Sequence, residues 1–347
     1  MPNCLHIIDH IEAGGAQKII TAFLKNDAVF VLRSGKYNSI EATAHLVLYP
    51  SKRKYSFRPL KRIIHFIQEN KIDTIIAHLP RSQAFASIIK RKLPALNYIH
   101  YEHGDVFENK VLSKIIIRKS IKAADAIIAV SVETKNRIIK KNNAIANKIH
   151  VLTNFVDDVF FGNTKTAKTD NTIHFGFSAR IIERKGWKTL LEAVSKLPKK
   201  DFYLHIAGTG KDSNQMLSCI KNLDLESKIK YYGFINNMPD FYAKLDVLII
   251  PSYWEPFGLI ALEAMATETF IIASDVDGMN EILEDGTNAL LFSPKDSEDL
   301  LRKIHFFIEN KEKMQKIINQ ASNDVKNYSK QSFIEKYQYI INSIQNN

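Results

Sequence analysis

Apolar residues in this chain follow two rhythms. Short runs rich in Ile, Val, Leu and Phe recur at residues 4–9, 28–32, 45–48, 74–77, 97–101, 125–130 and 149–152. They return at residues 172–177, 202–206, 228–232, 247–251, 270–273 and 289–292. Between several of these runs lie longer stretches with apolar residues at i, i+3 and i+4, such as residues 59–71, P-L-K-R-I-I-H-F-I-Q-E-N-K. The first rhythm predicts strands and the second helices. Their alternation predicts βαβ units and mostly parallel sheets covered on both faces. Residues 163–171, N-T-K-T-A-K-T-D-N, carry no large apolar side chain and read as a linker. From residue 296 onward only helical patterns remain. The chain therefore predicts an α/β protein of two doubly wound, Rossmann-like domains, residues 1–162 and 172–327, followed by a terminal helical segment, 328–347. In such sheets ligands bind beyond the carboxyl ends of the strands, and the cleft between two domains is the first place to look.

Composition adds exclusions. Two cysteines in 347 residues, Cys4 and Cys219, argue for a reducing compartment and against a disulfide scaffold. No apolar run approaches the ~18 residues of a transmembrane helix, and the N-terminus lacks the basic and apolar regions of a secretion signal, so the expected location is cytoplasmic. The net charge of +11 is unevenly placed. Residues 1–150 hold 25 of the 48 basic and 11 of the 37 acidic residues, a surplus of 14, whereas the remainder is net −3. Lys52, Arg53, Lys54, Arg58, Lys61 and Arg62 form the densest cluster. Such a step points to a polyanionic partner: anionic lipid, a phosphorylated acceptor or nucleic acid. A solvated Lys-rich surface would look the same.

The strand-to-helix turns hold the candidate chemistry. Gly14-Gly15 precedes a helix, where a backbone without side chains approaches a phosphate closely, although such a pair more often marks a plain turn. His103-Gly104 follows another strand. Arg180 and Lys185 follow the first strand after the linker, a cation pair suited to a diphosphate. Gly208, Gly210 and Gly233 mark later turns. In S-Y-W-E-P-F-G-L-I-A-L-E-A-M-A, residues 252–266, Glu255 falls in a turn before a helix and Glu263 inside that helix, both in a stretch otherwise almost wholly apolar. A helix N-terminus offsets part of the cost of a buried carboxylate, and a carboxylate can hold a vicinal diol. A surface glutamate on an amphipathic helix is the plainer account of Glu263.

The stretch E-P-F-G-L-I-A-L-E resembles the E-x7-E motif of retaining glycosyltransferases of family 4, which have the GT-B fold. The resemblance takes in A-G-G-A near the start, H-G at 103–104, S-A-R-x4-K-G at 178–186, A-G-T-G at 207–210 and Y-G-F at 232–234. It implies that Arg180 and Lys185 bind and stabilise a leaving donor diphosphate. It likewise places Glu255 and the following Phe257, Gly258 and Leu259 at the donor, with Glu263 on the ribose and His103 beside the transferred sugar. Gly14 and Gly15 correspond to the loop over the phosphates, Gly208 to a donor-side turn, and Gly233 with Phe234 to the nucleobase loop. The last helix is expected to pack back on the first domain. Asp277-Gly278 stands where many members have Gly-Gly, and Asp275-Val276-Asp277 spells a D-x-D that reads as coincidence.

The resemblance thus implies transfer of a hexose-type sugar with retention, from a nucleotide-sugar donor, UDP-sugar ahead of GDP-sugar. No other cofactor and no metal are expected. The expected acceptor is lipid-linked or a saccharide in cell-surface glycan synthesis, with the basic first domain peripheral at an anionic inner membrane face. The rivals are a basic nucleic-acid-binding protein, which leaves the two glutamates without purpose, and a GT-B epimerase or phosphorylase. No nucleic-acid partner is expected, because no interleaved stacking aromatics support one.

Overall fold

A computed structural model describes residues 3–11, 15–24, 26–33, 46–48, 56–104, 111–162, 172–198 and 202–345. Gly14, Lys52, Arg53, Lys54 and the linker 163–171 lie outside the described residues. The chain divides into two units, one of Met1–Asn154 with Gln331–Asn347, the other of Phe155–Lys330. The division thus falls ahead of the low-complexity stretch at 163–171.

The first unit is built on β1 (Cys4–Ile8), β2 (Ala28–Val31), β3 (Leu46–Leu48), β4 (Thr74–Ala77), β5 (Asn97–Glu102), β6 (Ala126–Ala129) and β7 (Ile149–Val151). They form one parallel sheet in the order β3-β2-β1-β4-β5-β6-β7. Every residue of β1, β2, β4 and β6 is buried, which is why these runs show no polar alternation: helices cover both faces. The helix Arg58–Glu69 carries a proline at its second position and buries Pro59, Ile63 and Ile67 at four-residue spacing, leaving Arg58, Lys61 and Arg62 exposed. The terminal helix Lys330–Gln345 belongs to this unit. It buries Phe333, Tyr337, Ile340 and Ile341, sets Phe333 against Phe23, and donates from Gln345 to Asp73.

The second unit carries β8 (Ile173–Ser178), β9 (Phe202–Ala207), β10 (Ile229–Gly233), β11 (Val247–Ile250), β12 (Phe270–Ser274) and β13 (Leu290–Phe292), again parallel, in the order β10-β9-β8-β11-β12-β13. Phe175, Trp187, Leu190, Phe202, Ile249, Phe270 and Phe292 share one core cluster. In each sheet the order reverses at one place, between β1 and β4 and between β8 and β11. Chains leaving neighbouring strands there diverge to opposite faces and open a crevice at the carboxyl ends.

Candidate functional site

The second reversal point assembles a charged group. After β8 the chain runs through the exposed Arg180 into one tight turn, Glu183–Lys185, and the helix Trp187–Val194. After β11 it runs from Pro251 through Glu255 to the helix Leu259–Ala266. The Tyr253 N–H donates to the Arg184 carbonyl at 2.8 Å and so binds one turn to the other. Arg184 reinforces this by donating to the Trp254 carbonyl at 3.2 Å and by lying over the Trp254 ring. The clamp brings the Lys185 ammonium onto Glu255 Oε1, and the Ser252 hydroxyl donates to the same oxygen at 2.7 Å. Glu255 is 5% exposed. Burial pushes its carboxyl up, but Lys185, Ser252 and Arg184 outweigh that and hold it below the usual carboxylate range. The partner that an ionised carboxylate needs in this apolar stretch is therefore Lys185, 70 residues earlier. Arg180 stands outside this hydrogen-bonded group.

The glycines explain how the turns come so close. A Cβ on Gly208 would lie 1.9 Å from the Ala179 carbonyl oxygen, and one on Gly210 would lie 2.1 Å from that of Ile181. The turn after β9 thus lies flat against the segment that bears Arg180, which the Ile181 N–H to Thr209 carbonyl bond of 3.0 Å also joins. A Cβ on Gly278 would meet the Glu255 carbonyl oxygen at 2.0 Å. Of Asp277-Gly278, the second residue is the one that the main chain of Glu255 requires to be glycine. Asp277 itself is exposed at the start of the short helix Asp277–Asn280, and Asp275 accepts from Asn280.

Glu263 is no surface glutamate. It is 6% exposed on a helix buried along most of its circumference, and Tyr242 donates to its Oε2 at 2.9 Å. Burial and the nearby Glu263 hold the Tyr242 hydroxyl well above its ordinary range, so it stays a donor. Phe257 is 1% exposed with its ring 6.0 Å from that of Tyr328, so its side chain belongs to the core and only its main chain could meet a ligand. Gly258 begins the helix and Leu259, partly buried, follows it. Gly233 ends β10, its carbonyl accepts from the Gly208 N–H, and Phe234 beyond it is half exposed.

In the first unit Gly15 is an exposed residue opening the helix Gly15–Phe23. His103 sits at the carboxyl end of β5. Glu102 Oε1 accepts from the Gly104 N–H at 2.8 Å and fixes the turn that presents it. Burial and His100 hold the His103 pKa down, to about 3. Its Nε2 lies 2.9 Å from His78 Nδ1, and its ring stacks on Tyr101 at 4.5 Å. Sequence reasoning missed Ser252 and Arg184, although Arg184 adjoins Lys185 and Ser252 lies three residues before Glu255. It also missed Tyr242, His6 and His78, whose roles depend on strand order alone. Among the described residues no cluster of three His, Cys, Asp or Glu side chains stands ready to hold a metal, and no helix is long and apolar enough to cross a membrane.

Known proteins place this architecture. Residues 162–324 match the family described as glycosyl transferases group 1, and residues 24–160 match glycosyltransferase family 4. An uncharacterised glycosyltransferase of Methanocaldococcus jannaschii is 26% identical over 257 residues, 72% of this chain and 69% of that protein. The lipopolysaccharide core biosynthesis glycosyltransferase LpsE of Rhizobium meliloti is 31% identical over 125 residues, and the match spans only 36% of each chain. The Anabaena protein HepE, solved in complex with UDP-glucose, superposes with a TM-score of 0.86 at 19% identity, covering 99% of this chain and 100% of that one. That superposition shows the fold, two Rossmann-like parallel-sheet domains of the GT-B kind. With both halves matched in order and the motif turns built as described, the chain belongs to the group 1 glycosyltransferases, family 4.

Proposed function

We propose that the chain moves a hexose-type sugar from a nucleotide-sugar donor, with retention at the anomeric carbon, to a lipid-linked or saccharide acceptor in cell-surface glycan synthesis. The observation that carries this reading is the Lys185–Glu255–Ser252 group at the reversal point of the second sheet. A lysine held there by a carboxylate is a fixed cation where a diphosphate arrives, and Glu255 keeps Oε2 for sugar hydroxyls. Arg180 and Lys185 would meet the charge that grows on the leaving diphosphate, an electrostatic role that needs no metal in this reading. Glu263, oriented by the Tyr242 hydroxyl, holds the ribose diol. His103 acts at the transferred sugar. The leaving phosphate takes the acceptor proton on the face it departs from. HepE with its UDP-glucose supports a UDP-sugar, and LpsE supports a glycan acceptor. A rise in unfolding temperature with one family of nucleotide sugars tests the donor half.

The same proposal gives the first unit an anionic membrane surface. The exposed Arg58, Lys61 and Arg62 flank Phe57, which is 67% exposed at the head of their helix. Each such cation near anionic headgroups contributes about 1 kcal/mol. Sedimentation with vesicles containing a third phosphatidylglycerol is expected to carry down the wild type and much less of Lys61→Glu/Arg62→Glu. Equal binding to neutral vesicles would remove the membrane from the account.

A further inference from the structure

The first unit buries a line of polar side chains that the proposed chemistry does not use. His6 on β1 places its Nε2 3.2 Å from Asp27 Oδ2 and 3.0 Å from the Tyr337 hydroxyl. Its Nδ1 lies 2.8 Å from His78 Nε2, and His78 Nδ1 lies 2.9 Å from His103 Nε2. Asp27 Oδ2 also accepts from Tyr337 at 2.7 Å. His6 and His78 are 0% and 1% exposed. Stacking fixes the ring planes: His6 on Phe23 at 4.0 Å, and both His78 and His103 on Tyr101 at 4.8 and 4.5 Å. Side chains from β1, from the turns beyond β4 and β5, and from the terminal helix thus meet in one file that ends at His103.

The direction of every bond in the file follows from its far end. A carboxylate only accepts. Burial, with Cys4 and Asp27 close by, holds the Tyr337 hydroxyl well above its ordinary range, so Tyr337 donates to Asp27. His6 Nε2 must therefore carry hydrogen, shared between Asp27 and the phenol oxygen. With one N–H per ring, His6 Nδ1 accepts from His78 Nε2, and His78 Nδ1 accepts from His103 Nε2. One N–H per ring agrees with the depressed pKa values of His78 and His103, which burial and the neighbouring imidazoles produce.

We propose that Asp27, acting through His6 and His78, is a positioning residue that locks the tautomer of His103, with hydrogen on Nε2 and Nδ1 left as the accepting nitrogen. The functional part rests on the reading that His103 acts at the transferred sugar: a hydroxyl of donor or acceptor then meets an acceptor nitrogen of fixed orientation. A ring free to exchange tautomers would at times present N–H there and leave the hydroxyl proton without its acceptor. An amide in place of the carboxylate can turn its NH2 toward His6 Nε2, which reverses each bond in the file and puts hydrogen on His103 Nδ1.

The test is a long-range 1H–15N imidazole spectrum of the full chain labelled with [15N]histidine, its 11 histidines separated by single His→Gln variants. Wild type is expected to show the Nε2–H pattern for His6, His78 and His103, and Tyr337→Phe should keep it. Asp27→Asn is expected to show Nδ1–H on His103. Its kcat should fall at least about tenfold while bare nucleotide binds as before, as wrong-tautomer variants of other catalytic histidines behave. An Nδ1–H signature on His78 and His103 of the wild type, which a doubly protonated His6 would impose, overturns the lock. So does an Asp27→Asn protein with lowered kcat and unchanged tautomers, whose defect is then structural. A changed tautomer with unchanged kcat overturns the functional part. If Asp27→Asn does not fold, the wild-type and Tyr337→Phe spectra still decide the tautomers. Absence of any transfer by wild type would instead strike the transferase reading and leave the spectra standing.

Discussion

Lys185→Ala is expected to lower turnover by about 100-fold or more at saturating donor, the usual effect of removing one group that stabilises charge in the transition state. The variant also leaves the Glu255 carboxylate, 7% exposed by side chain, without its ammonium. Removing one member of a buried pair costs about 3–5 kcal/mol, because the survivor keeps its desolvation and loses its partner. The Glu255 carboxyl would then climb above its present depressed value, since burial, its largest influence, works upward. The two effects separate in the double variant Lys185→Ala/Glu255→Gln. Stability should return there, because the orphaned charge is gone, while turnover stays low. Urea unfolding beside steady-state kinetics checks both. Normal turnover in a folded Lys185→Ala protein would take Lys185 out of the mechanism.

The second large effect falls on Gly186→Ala. Gly186 joins the turn bearing Lys185 to the helix behind it with φ of +70°, a left-handed conformation that costs an alanine about 1–2 kcal/mol. Its added Cβ would also lie 1.7 Å from the Pro251 carbonyl oxygen, a backbone atom at the end of β11. Relieving that overlap means parting the two turns that hold Lys185 on Glu255, and overpacking of this kind adds roughly 1–3 kcal/mol. The expected loss is therefore about 2–5 kcal/mol, or roughly 4–20 °C for a unit of this size. Gly286→Ala is the control. It shares the left-handed backbone, φ +74°, yet nothing lies within 4 Å of its new methyl, so it should cost only the conformational part. Thermal unfolding of the two variants that gave equal losses would mean that the turns are not in close contact.

The fold was largely legible because both sheets are parallel and their central strands are buried on both faces. Their central strands appear as largely apolar runs, and each of the 13 runs is a strand with ends displaced by at most one residue. Strand order was less accessible, since the pattern of apolar residues does not say which strands are neighbours, and the site depends on it. Glu255 and Lys185 stand out separately in the sequence, each on its own strand-to-helix turn, and the family resemblance adds only their roles. Their pairing follows from β8 lying next to β11. The burial of Glu263 was misjudged in the plainer account because local periodicity cannot show that Tyr242 comes over it. Phe257 was placed at the donor by its position in a motif, whereas its ring packs on Tyr328. The histidine file left no local trace, because its members lie on separate strands and on a helix over 300 residues from β1.

Thermal unfolding of wild type and Glu263→Ala against UDP-, GDP- and ADP-sugars and the bare nucleotides tests the central claim most directly. Ligand at about 100 times its dissociation constant stabilises the fold by roughly 2.7 kcal/mol. The account predicts that one nucleotide family, UDP first, raises the wild-type midpoint, and that Glu263→Ala loses that rise. No shift with any nucleotide, beside a shift with short DNA or RNA, would contradict it.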